Sequence, residues 1–419
     1  MENSWEYKRL ADLGSFSRGV SKHRPRNDLS LFKNGKYPFV QTGDVKKANL
    51  YIRSNSEFYN EKGLSQSKLW PKGTLCITIA ANIAETGILA YPMCFPDSIV
   101  GFTANKKVSS ETFMYYIFEY LKQQIQNQAS GSIQDNINIE YLTNLNLRVP
   151  DKKTQDNIVD TLSILDKKIS NNDAIVDKLK LMSKTIYDYW FLQFEFPNEE
   201  GKPYKSSGGK MVWNEELKRE IPEGWKVGNL SNNELTKIIK PGIDKFEGTK
   251  NYLETADVTE SNYTKGEEVT FENRASRANM QPTKNSVWFA KMKDSVKHLL
   301  INEEMQPLIE RSIFSTGFLG LQCSSDSFEY IATYIKSEYF EKAKNKLAHG
   351  ATQQAINNSD LRGIKIVIPC DEVLTEFHKR FKSIYSLISK KTIENKELID
   401  MKDFLLPLLM NGQVTISKN

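Results

Sequence analysis

Along residues 155–194 apolar side chains fall at alternating spacings of four and three, from Ile158 through Leu162, Leu165, Ile169, Val176, Leu179 and Ile186 to Trp190. This is the heptad seam of one long amphipathic helix, and such a seam needs a partner. Adding 219 to those positions gives Phe377, Phe381, Ile384, Ile388, Asn395, Leu398, Leu405 and Leu409, so most of the seam recurs near the C-terminus. The two helices are expected to pair with each other. If they run antiparallel with centres aligned, facing positions sum to 567, setting Asn172 opposite Asn395, Ile169 opposite Leu398 and Leu162 opposite Leu405. A parallel pair at the 219 offset instead sets Asn172 against Lys391. An Asn–Asn layer satisfies its own hydrogen bonds and fixes register, which favours the antiparallel pair. Asp166, between Leu165 and Ile169, reads as exposed beside the seam, and Lys167, Lys168, Asp173 and Lys178 as outward faces left for partners. Pro407 stands where the first helix has Asp188 and is expected to interrupt the second helix.

Ahead of each long helix lie short strands, turns and a helical segment. In the first half, a short strand over 37–40 runs into Gln41-Thr42-Gly43-Asp44-Val45, and a turn at 70–74 leads into a β-rich run at 75–79 that pairs with 88–91. Residues 113–128 are helical by period, with Tyr116, Tyr120 and Leu121 towards the core. A polar, Gly-broken loop at 130–137 and a strand at 145–149 follow. The second half restarts at Ile221-Pro222-Glu223-Gly224-Trp225. Trp225 and Leu230 answer Trp5 and Leu10 at an offset of 220, Glu254-Thr255-Ala256-Asp257-Val258 answers 41–45 at 213, and residues 349–356 answer 130–137 at 219. Framework positions agree while the stretches between them do not, as expected of one scaffold carrying two different surfaces. The fold expected is α+β: an α/β unit over 1–150, a long helix over 151–196, a linker over 197–224, a second α/β unit over 225–369, and a second long helix with a tail over 370–419.

Composition adds bounds. At 419 residues the chain exceeds what one core usually holds. It is 39% hydrophobic and 26% charged, has no run of about 20 apolar residues, and starts without a signal-peptide profile, so the cytoplasm is expected. Its four cysteines, Cys76, Cys94, Cys323 and Cys370, lack metal-ligand spacing and read as buried free thiols. The net charge of +5 permits nucleic acid as a partner, although a solvated Lys-rich surface gives the same balance.

Catalytic patterns are scarce in the sequence. Methyltransferase tetrapeptides such as Asn-Pro-Pro-Tyr, G-x-S-x-G and H-E-x-x-H are absent, and only His23, His298, His349 and His378 are available for acid–base work. Gly209-Lys210 is no phosphate loop, because Tyr204 sits where Walker A needs its first Gly. Pro150-Asp151 with Asp166-Lys167-Lys168 imitates a nuclease spacing, but Asp166 lies inside a helix. No catalytic or metal-binding residue is expected.

Two half-length units that each end in a long helix resemble the specificity subunit of a type I restriction-modification enzyme over essentially the whole chain. The resemblance is carried by residues 221–225, by the close Leu405-Leu406-Pro407-Leu408-Leu409-Met410-Asn411-Gly412-Gln413-Val414, by the loops at 130–137 and 349–356, and by the helix 158–190. It implies a non-catalytic DNA reader with two target recognition domains, each binding one half of an interrupted double-stranded target. Such a subunit directs two methyltransferase subunits, which carry S-adenosylmethionine and methylate adenine, and two ATP-dependent translocase-nuclease subunits. S-adenosylmethionine, ATP and Mg²⁺ are expected on those partners and not on this chain. A helix of roughly 40 residues is about 60 Å long, more than the ~34 Å of one DNA turn, so two half-sites with an unread spacer are expected.

The expected readers are polar and basic residues of the variable loops. In the first unit these are Arg18, Lys22, Arg24, Arg26, Gln41, Thr42, Lys46, Lys47, Ser132 and Gln134; in the second, Lys245, Lys250, Thr255, Arg274, Arg277, Asn279, Lys291, Lys293, His349, Thr352 and Gln353. Arg and Lys suit phosphate or guanine, and Gln and Asn suit adenine. A coiled-coil scaffold whose globular units bind proteins, or a stand-alone DNA-modifying enzyme, are the competing readings.

Overall fold

Apolar runs such as Leu75-Cys76-Ile77-Thr78, following a turn at Gly73, are too short for helices and bury both faces as strands. The computed structural model describes residues 5–130, 137 and 139–415, and it divides into two units, residues 1–171 with 396–419 and residues 172–395.

The first unit contains β1 (Glu6–Arg9), α1 (Leu10–Leu13), β2 (Gly14–Arg18), β3 (Tyr37–Phe39), α2 (Thr42–Lys47), β4 (Tyr51–Ile52), β5 (Glu57–Tyr59), α3 (Glu61–Ser65), β6 (Leu69–Trp70), β7 (Leu75–Thr78), β8 (Thr86–Leu89), β9 (Met93–Cys94), β10 (Ile99–Ala104), α4 (Glu111–Ser130), α5 (Ile139–Asn144), β11 (Asn146–Val149) and the start of α6 (Lys152–Tyr187). One sheet has the order β2-β10-β7-β8-β4 and another β5-β3-β9-β6, while β1 pairs with β11. Phe113, Tyr116 and Phe118 of α4 are buried with Leu75, Ile77 and Phe102 of the first sheet. Tyr116 is thus core as expected, whereas Tyr120 is 39% exposed.

The second unit contains β12 (Met211–Asn214), β13 (Arg219–Pro222), β14 (Lys226–Asn229), β15 (Thr236–Ile238), β16 (Lys250–Leu253), β17 (Val258–Thr259), β18 (Asn262–Tyr263), β19 (Glu267–Val269), β20 (Ala278–Met280), β21 (Ser286–Ala290), β22 (His298–Ile301), α7 (Gln306–Arg311), β23 (Ser312–Ser315), β24 (Phe318–Cys323), α8 (Phe328–Tyr334), α9 (Glu338–Leu347), β25 (Lys365–Ile368) and most of α10 (Asp371–Met410). Its sheets have the orders β15-β24-β21-β22 and β19-β16-β23-β20, and β14 pairs with β25. Apart from β4, a fifth strand on the first unit's sheet, and the β17–β18 ribbon of the second, this is the topology of the first unit, including a parallel pair in the same place, β3 with β9 and β16 with β23. The repeat extends to glycine. A Cβ on Gly101 would lie 2.7 Å from the Trp70 ring, and one on Gly320, 219 positions later, 2.6 Å from the Trp288 ring, so an indole covers the same strand position in both units.

The stretch read as linker is folded: β12 and β13 form a hairpin, and Phe196 stacks on Tyr204 and Trp225 with centroids 4.5 and 5.0 Å apart. All four cysteines are free, as expected, but only Cys76, Cys94 and Cys323 are buried, Cys370 being partly exposed; burial pushes the Cys94 thiol up to about 11.

Within each unit the long helices run antiparallel. In the second, Asn172 Nδ2 donates to Asn395 Oδ1 at 2.9 Å, and the Trp190 and Phe377 rings lie 5.5 Å apart, both pairs summing to 567. Ile158, Leu162, Ile169, Asn172, Phe381, Ile388 and Asn395 are buried; Leu165, Leu179, Ile186, Ile384, Leu398 and Leu405 are partly so. Three expectations fail here. Asp173 is not left outward, because Asn395 Nδ2 donates to its carboxylate at 2.8 Å. Asp166 is 5% exposed, not solvated: α4 packs over that face, Tyr116 OH donates to Asp166 Oδ2 at 2.6 Å, and Lys402 Nζ lies 2.8 Å from Oδ1. Pro407 does not interrupt α10, which runs to Met410. Proline removes one hydrogen bond near the helix end, and burial of Leu406, Leu409 and Met410 offsets it. The first helix differs by closing on a π-helical turn at Asp188–Leu192.

One buried histidine makes stability depend on pH. His298 is 3% exposed with Nε2 3.1 Å from Glu341, and desolvation outweighs that carboxylate and lowers its pKa below 6.5. The folded chain therefore holds His298 neutral where the unfolded chain takes up a proton, so this contribution is intact above pH 6.5 and is lost as pH falls below it. Urea midpoints measured between pH 7.5 and 5.5 are expected to fall less in His298→Gln than in the wild type.

Candidate nucleic-acid interface

In the second unit the chain leaves β16 at Glu254, whose backbone N–H is capped by Asp257 Oδ2 at 2.7 Å, so that Thr255 starts a short helical turn. A turn at Gly317 lies against it. A Cβ on Gly317 would meet Thr255 Cγ2 at 3.1 Å and Arg277 Nη2 at 3.2 Å, and Gly317 O accepts from Lys291 N at 3.0 Å. Lys291 opens the β21–β22 hairpin, where Lys293 donates through both its backbone N and its Nζ to Gln354, at 2.9 and 2.8 Å. Thr255, Arg277, Lys291 and Lys293 are thereby gathered by four segments far apart in sequence. Burial and then the Arg277 charge hold the Lys291 ammonium below its usual range. Cations crowded without enough carboxylate favour an incoming anion.

The other candidates of this unit stand elsewhere. Lys250 and Arg274 lie over Phe246 and Phe271 at 5.2 and 4.3 Å, and Lys245 is exposed beside Phe246. The Asn279 backbone bridges Gly242 and Arg277. His349 pairs with Ala355 across a small loop and sits 3.5 Å from Asp360, leaving Thr352 and Gln353 exposed at the tip.

The first unit repeats the frame. Gln41 N is capped by Asp44 Oδ2 at 2.9 Å, Ser98 O accepts from Ile79 N at 2.9 Å as Gly317 O does from Lys291 N, and Ile79 O accepts from Ile137 N as Lys291 O does from Ile356 N, both at 3.0 Å. The side chains on the frame differ. Lys46 Nζ reaches Asn82 Oδ1 in the β7–β8 hairpin at 3.5 Å, and Lys47 is exposed beside it. Gln41 Nε2 donates to Glu57 at 2.6 Å, and Thr42 is partly buried. Arg26 Nη2 lies 2.6 Å and Arg24 Nη2 3.7 Å from Asp97, next to Ser98. These arginines are ion-paired, not the free cations the sequence suggested, so a phosphate must compete with Asp97. Arg18 and Lys22 are exposed on the same segment, and Ser132 and Gln134 lie outside the described residues.

Sequence reasoning missed Asn82, Glu254, Lys297, which donates to Thr255 O, and Gln354. Gln354 adjoins a chosen residue, and Glu254 matches Gln41 in the 213 alignment; both signals were legible. Among the described residues no cluster of His, Cys, Asp or Glu is placed to hold a metal ion, and no helix is long and apolar enough to cross a membrane.

Comparison with known proteins gives the frame a name. Residues 2–181 match the type I restriction modification DNA specificity domain. The chain is 24% identical to the type I restriction enzyme MjaIX specificity subunit of Methanocaldococcus jannaschii, covering 99% of this chain and 94% of that one. It is 23% identical to the HindI specificity subunit of Haemophilus influenzae, covering 96% and 98%. The type I restriction-modification S subunit from M. genitalium shares the fold, with a TM-score of 0.57 and 15% identity over 100% of this chain and 98% of that one. Residues 2–181 thus match the specificity domain, the same frame recurs in the second half, and the chain is similar over nearly its whole length to specificity subunits of type I restriction enzymes.

Proposed function

We propose that the two frames are target recognition domains, over 1–150 and 225–369, each reading one half of an interrupted double-stranded DNA target, with 151–196 and 370–419 as the spacer helices. The observation that carries this reading is the repetition of one frame with exchanged side chains. Gln41 and Glu254 occupy the same capping position, and the hairpin that presents Lys291 and Lys293 in one unit presents Asn82 in the other. In the first unit Arg18, Lys22, Arg24, Arg26, Lys46 and Lys47 serve phosphates and Gln41 a base edge. In the second, Arg277, Lys291 and Lys293 serve phosphates or guanine, with Thr352 and Gln353 at a base edge.

The chain works in the cytoplasm with two methyltransferase subunits, which hold S-adenosylmethionine and methylate adenine, and two translocase-nuclease subunits, which use ATP and Mg²⁺. Exposed apolar side chains on both long helices suit docking of the methyltransferase subunits: Ile164 and Phe404, 64% and 67% exposed, and Leu181 and Leu387, 66% and 39% exposed.

Binding of the chain with its methyltransferase subunits to duplexes carrying both half-sites, one, or neither tests the reading. Affinity should drop on loss of either half-site, and equal affinity for all duplexes would refute it. Gln41→Ala is expected to cost about 1–3 kcal/mol against the preferred base of one half-site and leave the other half-site unchanged.

A further inference from the structure

The repeat also exposes a place where a charge is missing. In the first unit, where α4 packs on the long helices, Lys402 is neutralised by Asp166 at 2.8 Å. At 219 positions on, the place of Asp166 is taken by Tyr385, whose hydroxyl lies 2.6 Å from Thr333 Oγ1 and brings no negative charge. Yet cations gather in this second layer. Lys180, Lys184 and Lys336 line a cavity of about 210 Å³ together with Asp188, Thr333 and Tyr385. Asp188 is the acid on its wall, and it is already ion-paired with Lys184. Neither Lys180 nor Lys336 has a carboxylate at ion-pair distance among the described residues.

We propose that this cavity is an anion site for a phosphate-type oxyanion, with Lys180 and Lys336 as its cationic walls and Lys184 at its rim. The cavity is larger than a carboxylate needs, and its walls offer ammonium donors from two different elements, as a tetrahedral oxyanion uses. Burial and the neighbouring Lys180 charge hold Lys336 down to about 7, as expected of an ammonium waiting for its counter-charge. The oxyanion is either free phosphate or a phosphodiester of the DNA backbone.

The test is thermal unfolding of the full chain in inorganic phosphate against chloride at equal ionic strength. Expected is a saturable rise in unfolding temperature with phosphate, abolished in Lys336→Met, which itself unfolds higher than the wild type in chloride because an uncompensated cation is gone. Lys180→Met, at a partly exposed helix position, should lose the rise as well and guards against a folding defect in the first variant, while the exposed Lys237→Met should keep it. No saturable rise, or a rise that survives both Lys336→Met and Lys180→Met, overturns the site. With the rise in hand, loss of the phosphate increment on adding a short random duplex assigns the site to backbone phosphate, and its persistence assigns it to the free anion; both uphold the site.

Discussion

Asp166→Leu is expected to lower the free energy of unfolding by about 3–5 kcal/mol, the usual cost of stranding a buried charge. The substitution leaves Lys402 Nζ, on a side chain 16% exposed, without its carboxylate, and Tyr116 OH without its acceptor. The nearby Tyr115 ring, 6.0 Å from Lys402 Nζ, cannot replace a full negative charge. The double variant Asp166→Leu with Lys402→Met should regain most of the loss, because removing both charges removes both desolvation costs. Urea unfolding followed by circular dichroism measures both. A single variant within about 0.5 kcal/mol of wild type, the range of ordinary surface substitutions, would show that the carboxylate is solvated after all.

The second large effect concerns binding. Neutralising Arg277, Lys291 and Lys293 together is expected to flatten the dependence of log affinity on log salt by about 3, close to one unit for each phosphate left without its cation. The three cations gather around the turn at Gly317 and its neighbouring hairpin, so on the proposed reading their removal should strip one reader and leave the other intact. Matched and mismatched versions of the first half-site should lose affinity equally. Filter binding from 50 to 300 mM salt would check it, and an unchanged slope would place the DNA on another face.

Some of this was legible in the sequence because it is local and periodic. The seam from Ile158 to Trp190 follows the heptad, and the Asn172–Asn395 layer falls where two such seams cross with centres aligned. The Gln41 and Glu254 turns show themselves because a capping Asp must stand three residues on. What stayed hidden depends on a third partner. The seam's period treats everything beside it as solvent, so Asp166 reads as exposed until α4 is laid over it, and α4 lies about 50 residues earlier in the chain. Likewise Arg26 counts as a free cation until the β9–β10 loop brings Asp97 to it from 71 residues away. That Lys250 and Arg274 lie over Phe246 and Phe271 was equally hidden, since residue type alone does not show which ring a cation packs on.

The division of labour between the two frames can be tested directly by mapping methylated adenines across the host genome, with the wild-type chain and with the Arg277, Lys291 and Lys293 triple variant. Expected is one interrupted motif for the wild type, two short half-sites with an unread spacer, and a variant whose surviving methylation keeps the same first half-site while the second is relaxed or lost. An uninterrupted motif, or a variant that alters both half-sites alike, would contradict it.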